Sequence, residues 1–182
     1  ETGRYIAEQV VHATIILRIP RTHKPDKAQI PKRVAKAKFR KLIKKVNMYP
    51  PYLGMGIRVK SVSEDHTRFE VVLRQTWYNR NLFGTHFGGC LYSMCDPFYV
   101  FIVMMNLGKD YIVWDKSAGI TFIKPANGTI TGIFEIERGT LERIHEEVDQ
   151  LGKNTYHFET DLLNEDGEAV ARVTKEVYVR KK

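Results

Sequence analysis

The chain has 182 residues, 29 Lys plus Arg against 21 Asp plus Glu, and 43% apolar residues, the make-up of one ordinary globular domain with an excess charge of +8. Its longest unbroken apolar run, Phe98 to Met105, is eight residues, well short of the roughly 18 that a membrane-crossing helix requires. Cys90 and Cys95 stand five apart in apolar sequence, which excludes a disulfide framework and a C-x-x-C metal or redox pair and makes a reducing compartment, most simply the cytoplasm, the expectation.

The positive charge is gathered near the N-terminus. Between Arg18 and Lys45 stand twelve bases and one acid, Asp26, while the remainder carries 17 bases and 20 acids. Such a run attracts phosphate-bearing surfaces without specificity; base-stacking motifs are absent, so no specific nucleic-acid partner is expected. Pro20, Pro25 and Pro31 break this stretch, and Pro31 suits the first position of a helix. From it Ala35, Phe39, Leu42, Ile43 and Val46 recur at helical spacing up to Tyr49-Pro50-Pro51. Residues 1–49 therefore read as a basic helical arm and 50–182 as the domain proper.

After Gly54 the pattern turns to strands. Ile57 and Val59, then Phe69, Val71 and Leu73, predict two strands joined by the polar turn Ser63 to His66. One long apolar helix is predicted from about Phe87 to Leu107. Strands follow at Ile112 to Lys124 and, across the turn Asn127-Gly128, at Thr129 to Glu137. Leu141, Ile144, Val148 and Leu151 mark a surface helix, and Thr155 to Leu163 and Ala169 to Val179 are the last two strands, joined across Asn164 to Gly167. The order predicts an α+β fold in which an antiparallel sheet covers one helix that is apolar, hence buried, on all sides.

Asp96 is the only charged residue from Phe87 through Gly108. A carboxylate inside such a helix costs several kcal/mol unless paired, and burial raises its pKa, so Asp96 is expected to be buried beside a cavity as a site residue. The competing reading makes it a hydrogen-bonded structural group beside Pro97. Upstream, Gly84-Thr85-His86-Phe87-Gly88-Gly89 forms the helix entry, where paired glycines let a ligand approach free N–H groups at the positive helix end. The entry and Asp96 together make a carbonyl polariser and a base. The six histidines show no metal-ligand spacing, so no metal is assigned. Ser93 and Cys90 lack a histidine placed to activate them and read as packing residues.

The stretch from Asn81 through His86, Phe87, Gly88 and Gly89 to Asp96 resembles the signature of hotdog-fold acyl-CoA thioesterases of the phenylacetate-pathway type, an Asn followed by a His-Gly-Gly and then an Asp. It is also similar to a largely uncharacterised bacterial branch that reads Asn-x-x-Gly-Thr-x-Phe-Gly-Gly and then Asp-Pro. Ile120 to Ala126 looks like the strand after the helix in that family. The resemblance covers about Pro50 to Lys182. It implies a six-stranded antiparallel sheet wrapped around the helix, and hydrolysis of a thioester carried on CoA or acyl carrier protein, with no cofactor beyond the CoA of the substrate. It implies Asp96 as general base or nucleophile, the Gly88 N–H as carbonyl polariser and Asn81 as the residue orienting water or substrate. Gly89, His86, Phe87 and Asp115 would touch substrate. The chain departs from the pattern at Phe87, which holds the histidine position while His86 is displaced by one, and at Asp115, where the family has Ser or Thr. A surface Asp paired with Lys116 or Lys124 is the other reading of Asp115. The resemblance further implies a homodimer or a dimer of dimers. Two other functions stay open: an acyl-CoA or lipid binding module without turnover, which Phe87 favours, and a nucleic-acid or anionic-surface binder driven by the arm.

Overall fold

The computed structural model describes residues 43–182. The expectations for Pro31, Ala35, Phe39 and Leu42 lie outside the described residues. The described chain opens on a helical turn at 43–47 (α1), from which Ile43 and Val46 pack, half buried, against the core. Asn47 then fastens the chain to the first strand: its Oδ1 accepts from the Val59 N–H at 2.8 Å and its Nδ2 donates to the Val59 carbonyl at 3.2 Å.

Tyr49-Pro50-Pro51 ends one helix and begins another, because proline loses nothing at the first helical positions, where the N–H has no intrahelical partner. The second helix, α2 (Pro50–Met55), buries Tyr52 and stops at Gly56 in a left-handed conformation, φ 76°. A Cβ on Gly56 would stand 2.7 Å from the Arg74 carbonyl oxygen. Gly56→Ala is therefore expected to lower stability by at least ~1–2 kcal/mol, the cost of the left-handed backbone before the contact is counted. Urea unfolding measures it, and a midpoint equal to that of the unsubstituted protein would contradict the assignment.

Six strands form one antiparallel sheet: β1 (Ile57–Val62), β2 (Arg68–Arg74), β3 (Tyr111–Phe122), β4 (Thr129–Glu135), β5 (Lys153–Leu163) and β6 (Ala169–Lys181). Their order across the sheet is β1-β2-β4-β5-β6-β3. Each predicted strand is present with its ends moved by a few residues. The tight turns fall at the predicted glycines, Gly128 (φ 70°) and Gly167 (φ 80°). Inward positions alternate with solvent-facing ones, as in β4, where Ile130, Gly132 and Phe134 point to the core. This is the hotdog architecture.

The predicted single long helix is instead two, α3 (Gly88–Ser93) and α4 (Phe98–Leu107), separated by a turn at Met94–Pro97. Pro97 has no N–H to continue α3 and its ring would strike the carbonyl one turn back, so the helix stops and restarts. The stretch Gly88–Leu107 has the length and hydropathy of a membrane-crossing helix, but in this fold it is the core. Phe98, Ile102 and Val103 are wholly buried beneath the sheet. The Phe98 ring stacks on Phe134 with centroids 5.0 Å apart and lies 5.5 Å from Phe69. Helix α5 (Arg138–Leu151) adds Leu141, Ile144 and Val148 to the core, whereas Leu151, read as part of the same stripe, is 65% exposed in the last turn.

One irregularity matters for the site. In the β3–β6 ladder Asp115 stands opposite Val177 and Ser117 opposite Glu176, so Lys116 is an extra residue, a β-bulge. On β6 the core-facing residues are Val173, Lys175, Val177 and Val179. Ahead of the bulge Val113 and Asp115 share their face; beyond it the phase changes and Ala118, opposite Lys175, and Ile120, opposite Val173, turn to that side.

Candidate active site

The turn between α3 and α4 carries Asp96 to the rim of a cleft of about 510 Å³ whose walls include Tyr52, Tyr92, Asp115, Ser117 and Lys175. The expectation that Asp96 is buried is not met: its side chain is 59% exposed. The cause is Pro97. By ending α3 it places Asp96 in an open turn, where the carboxylate keeps water instead of paying for desolvation within a helix.

Beside it the sheet supplies two further charges. Lys175 is only 4% exposed, and its Nζ stands 2.9 Å from Asp115 Oδ2 and 3.6 Å from Asp96 Oδ1. The ammonium also lies over the Tyr92 ring, 5.7 Å from its centre, a distance at which the ring face attracts a cation. Asp115 is thus paired with neither Lys116 nor Lys124, as its alternative reading had it, but with a buried lysine on the neighbouring strand. Burial pushes the Asp115 carboxyl above the usual carboxylate range; its hydrogen bond from Lys175 opposes this, and the adjoining Asp96 carboxyl adds to it. No N–H or O–H reaches Asp115 Oδ1, which is buried. The Asp96 carboxyl beside it can donate only when protonated. The Tyr52 hydroxyl is likewise buried without a hydrogen-bond partner. An acceptor and a donor, both shielded and both unsatisfied, therefore belong to the walls of one cleft, and buried polar atoms left unpaired are costly until a bound group or water completes them.

The helix entry forms a second locus. Helix α3 alone, six residues at 1.5 Å each, puts about 9 Å between Gly88 and the turn that holds Asp96, and the Asp96 cleft is not lined by Gly88, Gly89, Phe87 or Asn81. The space over both glycines is filled by aromatic rings. A Cβ on Gly88 would lie 2.8 Å from the Phe122 ring, and one on Gly89 would lie 2.4 Å from the Phe87 ring. Both rings are more than half exposed.

Two assignments to this entry are corrected. Asn81 Oδ1 accepts from the Phe83 and Thr85 N–H groups, and its Nδ2 donates to Thr85 Oγ1 and the His86 carbonyl. Both lone-pair directions and both protons are used inside its own loop, so Asn81 shapes the entry and has nothing left to orient water. His86 is buried, with Nε2 2.9 Å from the Gly128 carbonyl oxygen. That contact requires the proton on Nε2, and burial lowers the imidazole pKa, keeping the ring neutral. It pins the entry to the β3–β4 turn and touches neither cleft nor solvent. Of the predicted site residues, Asp96 and Asp115 are brought together; Gly88, Gly89 and Phe87 form the entry; Asn81 and His86 support that entry. Among the described residues no group of His, Cys, Asp and Glu has the arrangement of a metal site.

Lys175 is the residue that the sequence reading overlooked, although its signal is present. The phase Ala171, Val173, Lys175, Val177, Val179 on β6 is apolar except for this lysine, while Arg172, Thr174 and Glu176 occupy the other face. A cation on the apolar phase of a central strand requires a buried partner.

The profile of a family described as a domain of unknown function, DUF4442, matches residues 36–179. The chain belongs to the DUF4442 family. No curated protein matches it. Among solved structures, a protein of unknown function from Pseudomonas aeruginosa, described as a "Probable Thioesterase", superposes with a TM-score of 0.69 at 18% identity, covering 79% of this chain and 96% of that one. A protein of unknown function from Chlorobaculum tepidum gives a TM-score of 0.65 at 16% identity over 79% and 94% of the two chains. A thioesterase from Haemophilus influenzae gives 0.58 at 13% identity over 78% and 90%. At these identities the likeness is one of fold, and it extends over nearly the whole of each neighbour. This DUF4442 chain is thus a thioesterase-like hotdog protein in architecture, with a carboxyl pair and a buried lysine at its cleft.

Proposed function

We propose that the protein is a thioester hydrolase acting on an acyl group carried by CoA or acyl carrier protein. The observation that carries this reading is the cleft itself: two adjoining carboxyls, Asp96 and Asp115, one open to solvent and one shielded, against a buried ammonium. Asp96, the accessible member, takes the proton of the attacking water as general base as the thiolate leaves, or attacks the thioester carbonyl directly, expelling the thiolate to form an anhydride that water then hydrolyses to the free acid and Asp96. Asp115 holds the substrate side of the cleft. The Gly88 N–H, at the start of α3 without a carbonyl one turn back, is the donor for the carbonyl oxygen.

Gly88 and Asp96 do not share a cleft in one chain, so this reading includes a second copy. Among the described residues the two edges of the sheet differ. β1 is six residues with a bulge and has Asn47 bonded across Val59. β3 is twelve residues, about 40 Å, and its outer edge is unpaired. A long open edge is a template for pairing, and two copies joined there would make one continuous sheet.

Two measurements test the reading. Free thiol released from a panel of short, long and aromatic acyl-CoA esters, and from acyl carrier protein loaded with the same groups, is expected for at least one substrate; binding without release would assign the protein to the non-catalytic alternative, which Phe87 at the histidine position favours. Light scattering at micromolar concentration is expected to give twice the chain mass or a multiple of it, and a monomer would remove the shared site.

A further inference from the structure

The hydrolase reading uses the two carboxyls but gives Lys175 no part. We infer that Lys175 is a positioning residue for the pair: its ammonium fixes Asp115 through Oδ2 and draws Asp96 alongside through Oδ1, so that the two carboxyls are held together against one cation with Asp115 Oδ1 left over for water or substrate.

Three features of its surroundings carry this. The lysine is buried on the apolar phase of β6, between Val173 and Val177, where a cation of no use would be replaced by an apolar residue without loss. Its near charged contacts come from two different elements, Asp115 on β3 and Asp96 in the α3–α4 turn, and the β3 bulge at Lys116 sets the phase that brings Asp115 to its side. Two carboxylates side by side repel, and one of them would hold its proton unless a cation stood between them. The other titratable groups facing the cluster do not act in the same pH range. Burial pushes the Cys95 thiol up to about 12 and the Tyr52 hydroxyl higher still, Tyr92 contributes a ring face, and Lys116 beside Asp115 is a further cation on the cleft wall.

The kinetic part of this inference rests on the hydrolase reading; the electrostatic part does not, and the test separates them. Protein labelled with ¹³C at aspartate Cγ is titrated by NMR as the unsubstituted protein and as Lys175→Met, with Asp96→Asn and Asp115→Asn used to assign the two signals. Without the ammonium the Asp115 midpoint is expected to rise by about one pH unit or more, since a neighbouring cation holds a carboxyl down by roughly 1–3 units. The acid limb of kcat/KM is expected to move up with it, kcat falling at neutral pH while KM changes little. Unchanged midpoints in folded Lys175→Met overturn the inference. Shifted midpoints in a protein that hydrolyses no thioester support it and overturn the hydrolase reading instead. Should Lys175→Met fail to fold, Lys175→Gln, which keeps a donor without the charge, is titrated in its place, and an Asp115 midpoint equal to that of the unsubstituted protein overturns the inference.

Discussion

Asp96→Asn lowers kcat for thioester hydrolysis at least tenfold, and by roughly 10² to 10⁴ if the carboxylate is the general base. The substitution keeps the size of the side chain and an oxygen on the side of Lys175, but the amide cannot take a proton from water. Because Asp96 is at the rim and more than half exposed, neutralising it leaves no newly buried orphan, so stability stays close to that of the unsubstituted protein and the loss is read as chemistry. KM should stay within a few-fold, the mark of a group that acts in the transition state. Asp115→Asn behaves differently: it leaves Lys175, 4% exposed, without the negative charge 2.9 Å away, and combines a loss of activity with a loss of stability. Thiol release under saturating substrate, with thermal unfolding on the same samples, separates the two. An undiminished rate in Asp96→Asn removes that residue from the chemistry.

The largest expected effect on the fold is at Phe98. Phe98→Ala removes a wholly buried ring that packs on Phe134, Phe69 and Tyr52, and substitutions of this kind cost about 3–5 kcal/mol. Since domains are stable by only about 5–15 kcal/mol, the variant should unfold at a much lower urea midpoint with an unchanged slope. A loss below about 1 kcal/mol would mean that the first turn of α4 is not the centre of the core.

Most of the fold was legible because its signals are local. Alternation of Phe69, Val71 and Leu73, and glycine at turns that need positive φ, fix strands without knowledge of their neighbours. The break between α3 and α4 was announced by Pro97 but outweighed by the continuous apolarity around it, and the position of Asp96 went wrong for the same reason: a lone charge in apolar sequence looks buried until the helix is seen to stop beside it. In sequence Tyr49-Pro50-Pro51 marks the end of a helix, and in the structure it is also the beginning of the next. Spacing alone placed Asn81 in the site, yet whether an amide faces a substrate or its own loop depends on four hydrogen bonds that spacing does not encode. Asp115 was found by the resemblance, but its partner lies 60 residues on, joined only by strand pairing, which no local pattern reveals. Lys175 was visible as a wrong-phase residue and became meaningful only once β3 stood beside β6.

The bulge at Lys116 gives this strand two reading frames. A twelve-residue strand with strict alternation offers one set of odd positions to the interior; here the interior takes odd residues as far as Asp115 and even residues from Ala118 onward. Loss of the single codon for Lys116 would straighten the ladder without turning either half over, since Asp115 and Ser117 would then follow one another opposite Val177 and Glu176, neighbours on β6. The carboxyl would stay beside Lys175, and Ala118 and Ile120 would stay inside. Relatives can thus differ in length at this one position and still present the same side chains to the same cleft.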